Sequence, residues 1–211
     1  MDTLKKLSFS KMNYYLYLPN NFDENKKYPL LIFLHGSGER DKISKLKSFG
    51  PLKEALNGMD LPFVMLYPHC QGKKTWNSYL ERLAKLIKKY KNLEYIDENK
   101  VYLTGLSMGG FGTWALAIEN PNMFAAIAPL CGGGIPWTTY TIKDVPTWAF
   151  HGDKDDDVKI DESIRMVKRQ NEYGGNAKLT ILEGYNHGIW NDVYHKKELY
   201  EWFLDNSLDR R

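Results

Sequence analysis

The stretch that decides the fold is residues 100–134, KVYLTGLSMGGFGTWALAIENPNMFAAIAPLCGGG. A short apolar run at 101–104 leads through a glycine-rich turn into 111–118, where apolar residues recur at helical spacing. The helical pattern stops at the Asn-Pro pair of 120–121, and a second apolar run follows at 125–130. This order predicts a strand, a tight turn, a helix and a second strand.

Strand and helix patterns alternate along the rest of the chain. Apolar runs predict further strands at 29–34, 63–67, 145–150 and 178–182, and a polar–apolar alternation predicts an early strand at 12–18. Helical spacing predicts helices near 80–90, 160–167 and 193–204. This alternation predicts an α/β fold with a mostly parallel central sheet and helices on both faces. Ligands bind such sheets beyond the carboxyl ends of the strands.

Length and composition narrow the class of protein. The 211 residues, with no internal repeat or linker, predict a single domain over 1–211. A net charge of +3 argues against a nucleic-acid partner. Residues 1–10 lack the apolar segment of a secretory signal, and no apolar run has membrane-spanning length, so a cytoplasmic protein without a membrane partner is expected. The oligomeric state has no signature in the sequence. Cys70 and Cys131 are predicted to be buried thiols rather than a disulfide framework.

The turn after the strand at 101–104 carries the first candidate for chemistry. Its sequence GLSMG, at 105–109, is a G-x-S-x-G pattern between a predicted strand and a predicted helix. In that setting the serine sits on a strained turn that exposes its hydroxyl, and side chains at the flanking glycines would clash with neighbouring backbone. Ser107 is therefore the predicted nucleophile. The N–H of Met108, at the start of the helix, faces the same point and favours negative charge there.

A second glycine-rich loop follows the strand at 29–34 and reads HGSGE. Acyl transfer requires a second N–H donor for the developing oxyanion, and a glycine-rich loop lets the backbone approach a substrate. By position the Ser37 N–H is the first candidate and the Gly36 N–H the second. His35 is interpreted as fixing this loop through a hydrogen bond.

Five histidines compete for the role of general base. Where the nucleophile occupies a strand–turn–helix, the chain order is serine, acid, histidine, which leaves three of them after Ser107. His151 directly ends a predicted strand and is interpreted as a loop-fixing residue. His195 lies within the last helical pattern among charged residues. His187 lies in the loop GYNHG between the last strand and the last helix, and it is the predicted base.

The acid is expected in the loop HGDKDDDV at 151–158, which contains four aspartates. One of them must accept the imidazole N–H, and spacing alone does not choose among them. The alternating aspartates also suggest a calcium loop. That reading fails because Val158 stands where glycine is needed and Ile164 where a bidentate glutamate is needed, so no metal site is predicted.

Four blocks together carry a family resemblance: LIFLHGSGERD at 31–41, the stretch at 100–134, HGDKDDDV at 151–158 and YNHGIW at 185–190. The chain resembles the esterase branch of the α/β-hydrolase superfamily that includes phospholipase/carboxylesterases and dienelactone-hydrolase-like proteins. It looks most similar to the "predicted peptidase" esterases, some of which are related to feruloyl esterases. The resemblance implies an α/β-hydrolase fold. The spacing of 47 residues between Ser107 and Asp155 and 31 between Asp155 and His187 leaves room for a minimal cap or none.

The resemblance also extends the set of site residues. The family pattern H-G-x-x-D-x-x-V places the acid at Asp155, and Ser37 and Met108 are implied as the oxyanion donors. An aromatic residue near the pocket in relatives corresponds to Trp76. Two further tryptophans are predicted to reach the crevice from their positions alone: Trp137 after a strand end, and Trp190 three residues beyond His187.

The expected function is hydrolysis of short-chain or aromatic acyl esters through an acyl-enzyme, with a small-molecule ester as partner and no cofactor. A peptidase, or an acyl-thioesterase or lysophospholipase of the same superfamily, is the alternative enzyme. A non-catalytic binding module on a hydrolase scaffold is the alternative from another class.

Overall fold

The computed structural model describes residues 3–210, and its centre is an eight-stranded, mostly parallel sheet in the order β1-β2-β4-β3-β5-β6-β7-β8. The strands are β1 Leu4–Phe9, β2 Met12–Tyr17, β3 Tyr28–Leu34, β4 Val64–Pro68, β5 Ile96–Leu106, β6 Ala126–Leu130, β7 Trp148–Gly152 and β8 Lys178–Leu182. The helices are α1 Gly50–Leu56, α2 Leu80–Lys91, α3 Met108–Glu119, α4 Asp161–Glu172, α5 Trp190–His195 and α6 Lys197–Asp205. Short 3₁₀ segments lie at Ser37–Glu39, Ile43–Ser48, Trp76–Ser78, Pro136–Ile142 and Leu208–Arg210. The α/β architecture predicted from the sequence is confirmed.

Strand β3 shows why its sequence is an unbroken apolar run. Its residues from Leu30 to Leu34 are all 0 % exposed. Leu30, Ile32 and Leu34 pack in the cluster that contains residues of α2, α3 and α4, whereas Leu31 and Phe33 pack in the cluster that contains residues of α1, α5 and α6. Because successive side chains of a strand point to opposite faces, a sheet covered on both sides needs apolar residues at every position.

The amino-terminal edge of the sheet differs from the sequence-based prediction. β1 pairs antiparallel with β2, which pairs antiparallel with β4, so these two strands stand outside the parallel part. β1 was not predicted, because four of its six residues are exposed and its sequence LKKLSF lacks an apolar run. The prediction that residues 1–10 contain no secretory signal includes residues 1 and 2, which lie outside the described residues.

Two helical regions also differ from prediction. α1 was not predicted, and the single helix expected over 193–204 is two helices, α5 and α6. They are separated at Lys196, whose ψ of 122° is extended rather than helical. Over residues 3–210, every helix is too short or too polar to cross a bilayer.

The strand order brings the predicted functional loops together. β3 lies between β4 and β5, and β6 and β7 follow β5 in the sheet, all parallel to one another. β8 pairs parallel with β7, so the loops after β3, β5, β7 and β8 open at the same edge, which is where parallel sheets bind ligands.

Candidate active site

Ser107 occupies a sharp turn between β5 and α3. Its φ of 55° and ψ of −119° lie outside the regions that L-residues ordinarily adopt, and its N–H donates to Leu130 O at 2.9 Å. The flanking glycines are required by close packing. A Cβ at Gly105 would lie 2.5 Å from Gly109 O, and a Cβ at Gly109 would lie 1.8 Å from Leu34 O. The turn thus presents the Ser107 hydroxyl at the carboxyl edge of the sheet.

A hydrogen-bonded chain of three side chains runs from this serine. His187 Nε2 lies 2.8 Å from Ser107 Oγ, and His187 Nδ1 lies 2.6 Å from Asp155 Oδ2. Asp155 accepts at Nδ1, so the ring carries its proton there and Nε2 is free to accept the serine proton. The arrangement is able to deprotonate a serine hydroxyl and hold the resulting imidazolium against a carboxylate.

The carboxylate of Asp155 is buried and fully engaged. Its Oδ1 accepts the backbone N–H groups of Asp157, at 3.0 Å, and Val158, at 2.9 Å. Burial raises the pKa of Asp155, but the hydrogen bonds from His187 and Val158 and the nearby His187 and His151 lower it below its ordinary value on balance. The acid is therefore an anion at neutral pH.

The other three aspartates of the loop have different partners. Asp153 accepts the N–H of Gly184 at 2.6 Å, and the exposed Asp156 pairs with Lys159 at 2.6 Å. Asp157 has an exposed side chain and contributes its backbone N–H to Asp155. The structure thus brings Asp155, and not its neighbours, to the histidine.

The two predicted oxyanion donors each begin a helical segment. Ser37 is the first residue of Ser37–Glu39, and Met108 is the first residue of α3. The first N–H groups of a helix have no partner within it and are therefore available to an anion. The loop lies close to the nucleophile, since a Cβ built on Gly36 would be 3.6 Å from Ser107 Cβ.

The three predicted pocket tryptophans have different environments. Trp76 is 1 % exposed, and its Nε1–H donates to His35 O at 2.9 Å. This hydrogen bond holds the backbone directly before Gly36. The expectation that Trp76 contacts substrate is therefore corrected, because a buried indole with its polar atom engaged has no face left for a ligand. Trp190 is half-buried and stands perpendicular to the His187 ring, with centroids 5.4 Å apart, whereas Trp137 is 65 % exposed.

One buried acid beside the site was not singled out from the sequence. Glu39 is 6 % exposed, and its Oε2 lies 3.8 Å from His35 Nδ1. Burial raises the pKa of Glu39 above its ordinary value, against the opposing effect of the backbone N–H groups of Gly36 and Glu39. A glutamate in a glycine-rich loop is usually exposed, so nothing in the sequence distinguished this one.

The three residues of this hydrogen-bonded chain lie in a segment that matches a known protein family. The model of the dienelactone hydrolase family matches residues 65–199, a segment that contains Ser107, Asp155 and His187. The chain belongs to the dienelactone hydrolase family. Both the α/β-hydrolase fold and the predicted resemblance are thereby confirmed.

Relatives of this dienelactone hydrolase family member include esterases and peptidases. A solved thermostable esterase superposes with a TM-score of 0.84 at 31 % identity, covering 98 % of this chain and 64 % of the esterase. Dipeptidyl aminopeptidase A of Saccharomyces cerevisiae is 24 % identical over 254 residues, which is 95 % of this chain but 26 % of the peptidase. A bifunctional acetylxylan esterase/xylanase of Neocallimastix patriciarum is 29 % identical over 147 residues, 67 % of this chain and 21 % of that protein. The chain therefore spans only a minor part of the length of both curated relatives.

The loop after β3 in this family member is held by a neutral histidine. His35 is 0 % exposed; its Nδ1–H donates to Gly36 O at 2.6 Å, and its Nε2 accepts the Cys70 N–H at 3.0 Å. Burial lowers the pKa of His35 to about 3, although the bond to Gly36 O opposes the shift. The structure thus supplies the hydrogen bond by which this residue was expected to fix the loop.

We expect His35 to make the stability of the protein dependent on pH. In the unfolded chain it binds a proton near its ordinary pKa of 6.5, whereas in the folded protein it does so only near 3. Between these values the unfolded state binds more protons, so the free energy of unfolding falls with decreasing pH by about 1.4 kcal/mol per unit from this group. Urea denaturation at several pH values between about 5 and 7 measures the slope.

The matched variant for this measurement is His35→Asn, which keeps a donor toward Gly36 O but does not titrate. Its free energy of unfolding is expected to be lower at neutral pH and to depend less steeply on pH than that of the wild type. Equal slopes in the two proteins would show that His35 is not the group responsible.

Proposed function

We propose that this protein is a serine carboxylic ester hydrolase with Ser107 as nucleophile, His187 as general base and Asp155 as the acid that orients it. The observation that carries the proposal is the hydrogen-bonded chain from Ser107 Oγ through His187 to Asp155, with distances of 2.8 and 2.6 Å. Both distances are within the reach required for proton transfer and for orientation of the base.

In the first half of the reaction, His187 Nε2 takes the proton of Ser107 as Oγ attacks the carbonyl carbon. The carbonyl oxygen becomes an oxyanion that accepts the N–H groups of Ser37 and Met108. As the intermediate collapses, His187 gives its proton to the departing alcohol, and the acyl group remains on Ser107 as an ester. Asp155 stays ionised throughout and stabilises the imidazolium.

In the second half, water attacks the acyl-enzyme while His187 Nε2 removes its proton. The same two N–H groups hold the second oxyanion, and collapse releases the carboxylic acid and restores Ser107. Each step uses groups of the chain itself, so the proposal includes no cofactor. One well-placed oxyanion donor is worth about 10²–10³-fold in kcat, which makes these two amides a major part of the expected rate.

The proposed substrates are esters with short-chain or aromatic acyl groups. Only 47 residues lie between Ser107 and Asp155 and 31 between Asp155 and His187, which leaves little chain for a cap over the crevice. Trp190 stands against His187, and Trp137 is exposed on the segment that follows β6. Flat aromatic surfaces favour compact or aromatic groups, since aromatic pairs add about 0.5–1.5 kcal/mol beyond the burial of area. An uncapped crevice does not enclose a long flexible chain.

A hydrolysis panel tests the proposal and its alternatives together. We expect acetyl, butyryl and hydroxycinnamoyl esters to be cleaved with higher kcat/KM than palmitoyl esters, each measured below micelle formation. The same panel includes a thioester, a lysophospholipid and dipeptidyl amides, because the matched proteins include a dipeptidyl aminopeptidase.

A higher kcat/KM for a C16 ester than for a C4 ester would contradict the proposed substrate class. Preferential cleavage of the dipeptidyl amide would favour the peptidase alternative, and preference for the thioester or the lysophospholipid would favour those hydrolases. Absence of turnover on every substrate would support a binding module on a hydrolase scaffold.

A further inference from the structure

A second histidine lies against the acid of the proposed triad. His151, in β7, is 0 % exposed, and its Nε2 lies 3.3 Å from Asp155 Oδ2, the same oxygen that binds His187. The ring has two further partners: Nε2 lies 2.8 Å from Val158 O, and Nδ1 lies 2.7 Å from Ser163 Oγ.

The partner of Nε2 decides that this nitrogen carries a proton. Val158 O is a carbonyl oxygen and can only accept, so Nε2 of His151 must bear hydrogen. That hydrogen is directed at Val158 O, which carries a partial negative charge, and the same nitrogen lies 3.3 Å from the charged Asp155 Oδ2. The group facing the acid is therefore an N–H and not a lone pair, which would repel the carboxylate.

The same contacts hold the backbone around the acid. Val158 accepts from His151 through its carbonyl and donates its N–H to Asp155 Oδ1 at 2.9 Å, so the residue is held from both sides. On the other side of the ring, Ser163 of α4 lies 2.9 Å from Gly132 O, in the loop after β6. His151 thus ties the turn that carries Asp155 to two neighbouring elements of the fold.

We propose that His151 is a positioning residue of the triad, whose Nε2–H holds the 155–158 turn and keeps Oδ2 of Asp155 directed at His187. The inference rests on the proposed function, in which Asp155 orients the base. A carboxylate that receives N–H groups from His187 and the turn, and that has the polarised Nε2–H of His151 3.3 Å from its Oδ2, is well stabilised as an anion. It does not take the proton of His187 during the reaction.

The charged and titratable groups around this ring decide the direction of the expected effect. Among the described residues they are Asp155, in the loop after β7, and the buried Cys131, directly after β6, while His187 binds the same Oδ2 of Asp155. Burial raises the pKa of Cys131, and the nearby Asp155 raises it further, so this thiol is neutral at working pH. Loss of the His151 N–H leaves more negative charge on Oδ2 facing His187, which stabilises the protonated base.

The test compares two amide variants of the same residue. The side chain of His151→Gln is long enough to place an N–H donor near the position of Nε2, whereas that of His151→Asn reaches only the Ser163 side of the ring. We expect His151→Asn to lower kcat by about 10- to 100-fold with little change in KM, a loss of the size seen when the partners that orient metal-ligating histidines are removed. His151→Gln is expected to recover most of this loss.

The pH profile separates positioning from packing. In His151→Asn, and in His151→Leu as a second variant without the donor, the pH at half-maximal kcat/KM should rise by about one unit. Variants that lose activity equally at all pH values, or a His151→Gln as impaired as His151→Asn, would show a role in packing alone and overturn the proposal. His195→Gln, which changes a histidine bonded to Glu54, controls for substitution of a titrating residue.

A readout without substrate keeps this test independent of the proposed function. In ¹⁵N-histidine-labelled wild-type protein, NMR should show a proton on Nε2 of His151 throughout about pH 5–9, and this measurement stands even if no donor-less variant folds. In folded variants without the donor, the pH at which His187 gains its proton in the NMR spectra should rise, as the pH at half-maximal kcat/KM does. An unprotonated Nε2 in the wild type, or an unmoved His187 titration in His151→Asn, would reject the inference. Failure of the wild type to hydrolyse any substrate would instead reject the proposed function.

Discussion

Replacement of Ser107 by alanine is expected to lower kcat by about 10⁴-fold or more. The change removes only the oxygen that lies 2.8 Å from His187 Nε2, and it leaves the backbone of the turn and the N–H of Met108 in place. Without Oγ no acyl-enzyme forms, and the remaining rate comes from binding and from the oxyanion donors. The measurement is kcat for p-nitrophenyl butyrate.

A matched control for this variant is Ser78→Ala, which changes an exposed serine at the end of the segment Trp76–Ser78. Thermal unfolding of both variants should lie close to that of the wild type. A folded Ser107→Ala protein with near-wild-type esterase activity would refute the assignment of the nucleophile.

Asp155→Asn is expected to lower kcat by about 10⁴-fold with little loss of fold. Asparagine has nearly the same shape, but its amide lacks the charge that stabilises the imidazolium. If the amide nitrogen faces His187, it also favours the tautomer that places the proton on Nε2. The ring then has no lone pair to accept the proton of Ser107. The comparison is the kcat of this variant against the same substitution at the other three aspartates of the loop.

The same substitution at these three aspartates serves as a control, and the expected loss of kcat differs among them. Asp156→Asn and Asp157→Asn change exposed side chains and should retain most of the activity. Asp153→Asn should have an intermediate effect, because Asp153 holds the N–H of Gly184 in the loop that carries His187. If Asp153→Asn were the most damaging of the four, Asp155 would not be the acid.

The parallel core was predictable because its physical causes are local and repeated. β3, β4 and β6 are covered on both faces, so their sequences are apolar at nearly every position. The turn at Ser107 was predictable because close approach of Leu34 O leaves no room for a side chain at Gly109. Burial on both faces requires apolar residues, and close backbone approach requires glycine, so both constraints can be recognised from residue types alone.

Other features depend on contacts that a single segment does not record. β1 is held by its pairing with β2 and buries little, so its sequence carries no apolar signature. Trp76 lies outside the main helices and strands, and whether such a tryptophan is buried depends on the space that the neighbouring elements leave. Here the side chain of Trp76 packs so closely against Gly112 of α3 that a Cβ at Gly112 would lie 2.7 Å from it. The choice of Asp155 among four aspartates came from family resemblance, since only the path of the chain after β7 distinguishes them by geometry.

The contact at Gly109 has a consequence for how this protein can change over time. α3 rests against the end of β3 at a distance that admits only hydrogen at this position. β3 leads into the loop that carries the Ser37 amide, and α3 begins with the Met108 amide. The distance between Gly109 and the end of β3 therefore also sets the distance between the two amides. Because both are main-chain groups, substitution of Ser37 or Met108 does not delete them, and the side chains there are free to vary with the substrate. Mutation can therefore change which substrates the crevice accepts, while the proposed anion-binding geometry depends on a packing distance and not on the identity of any polar side chain.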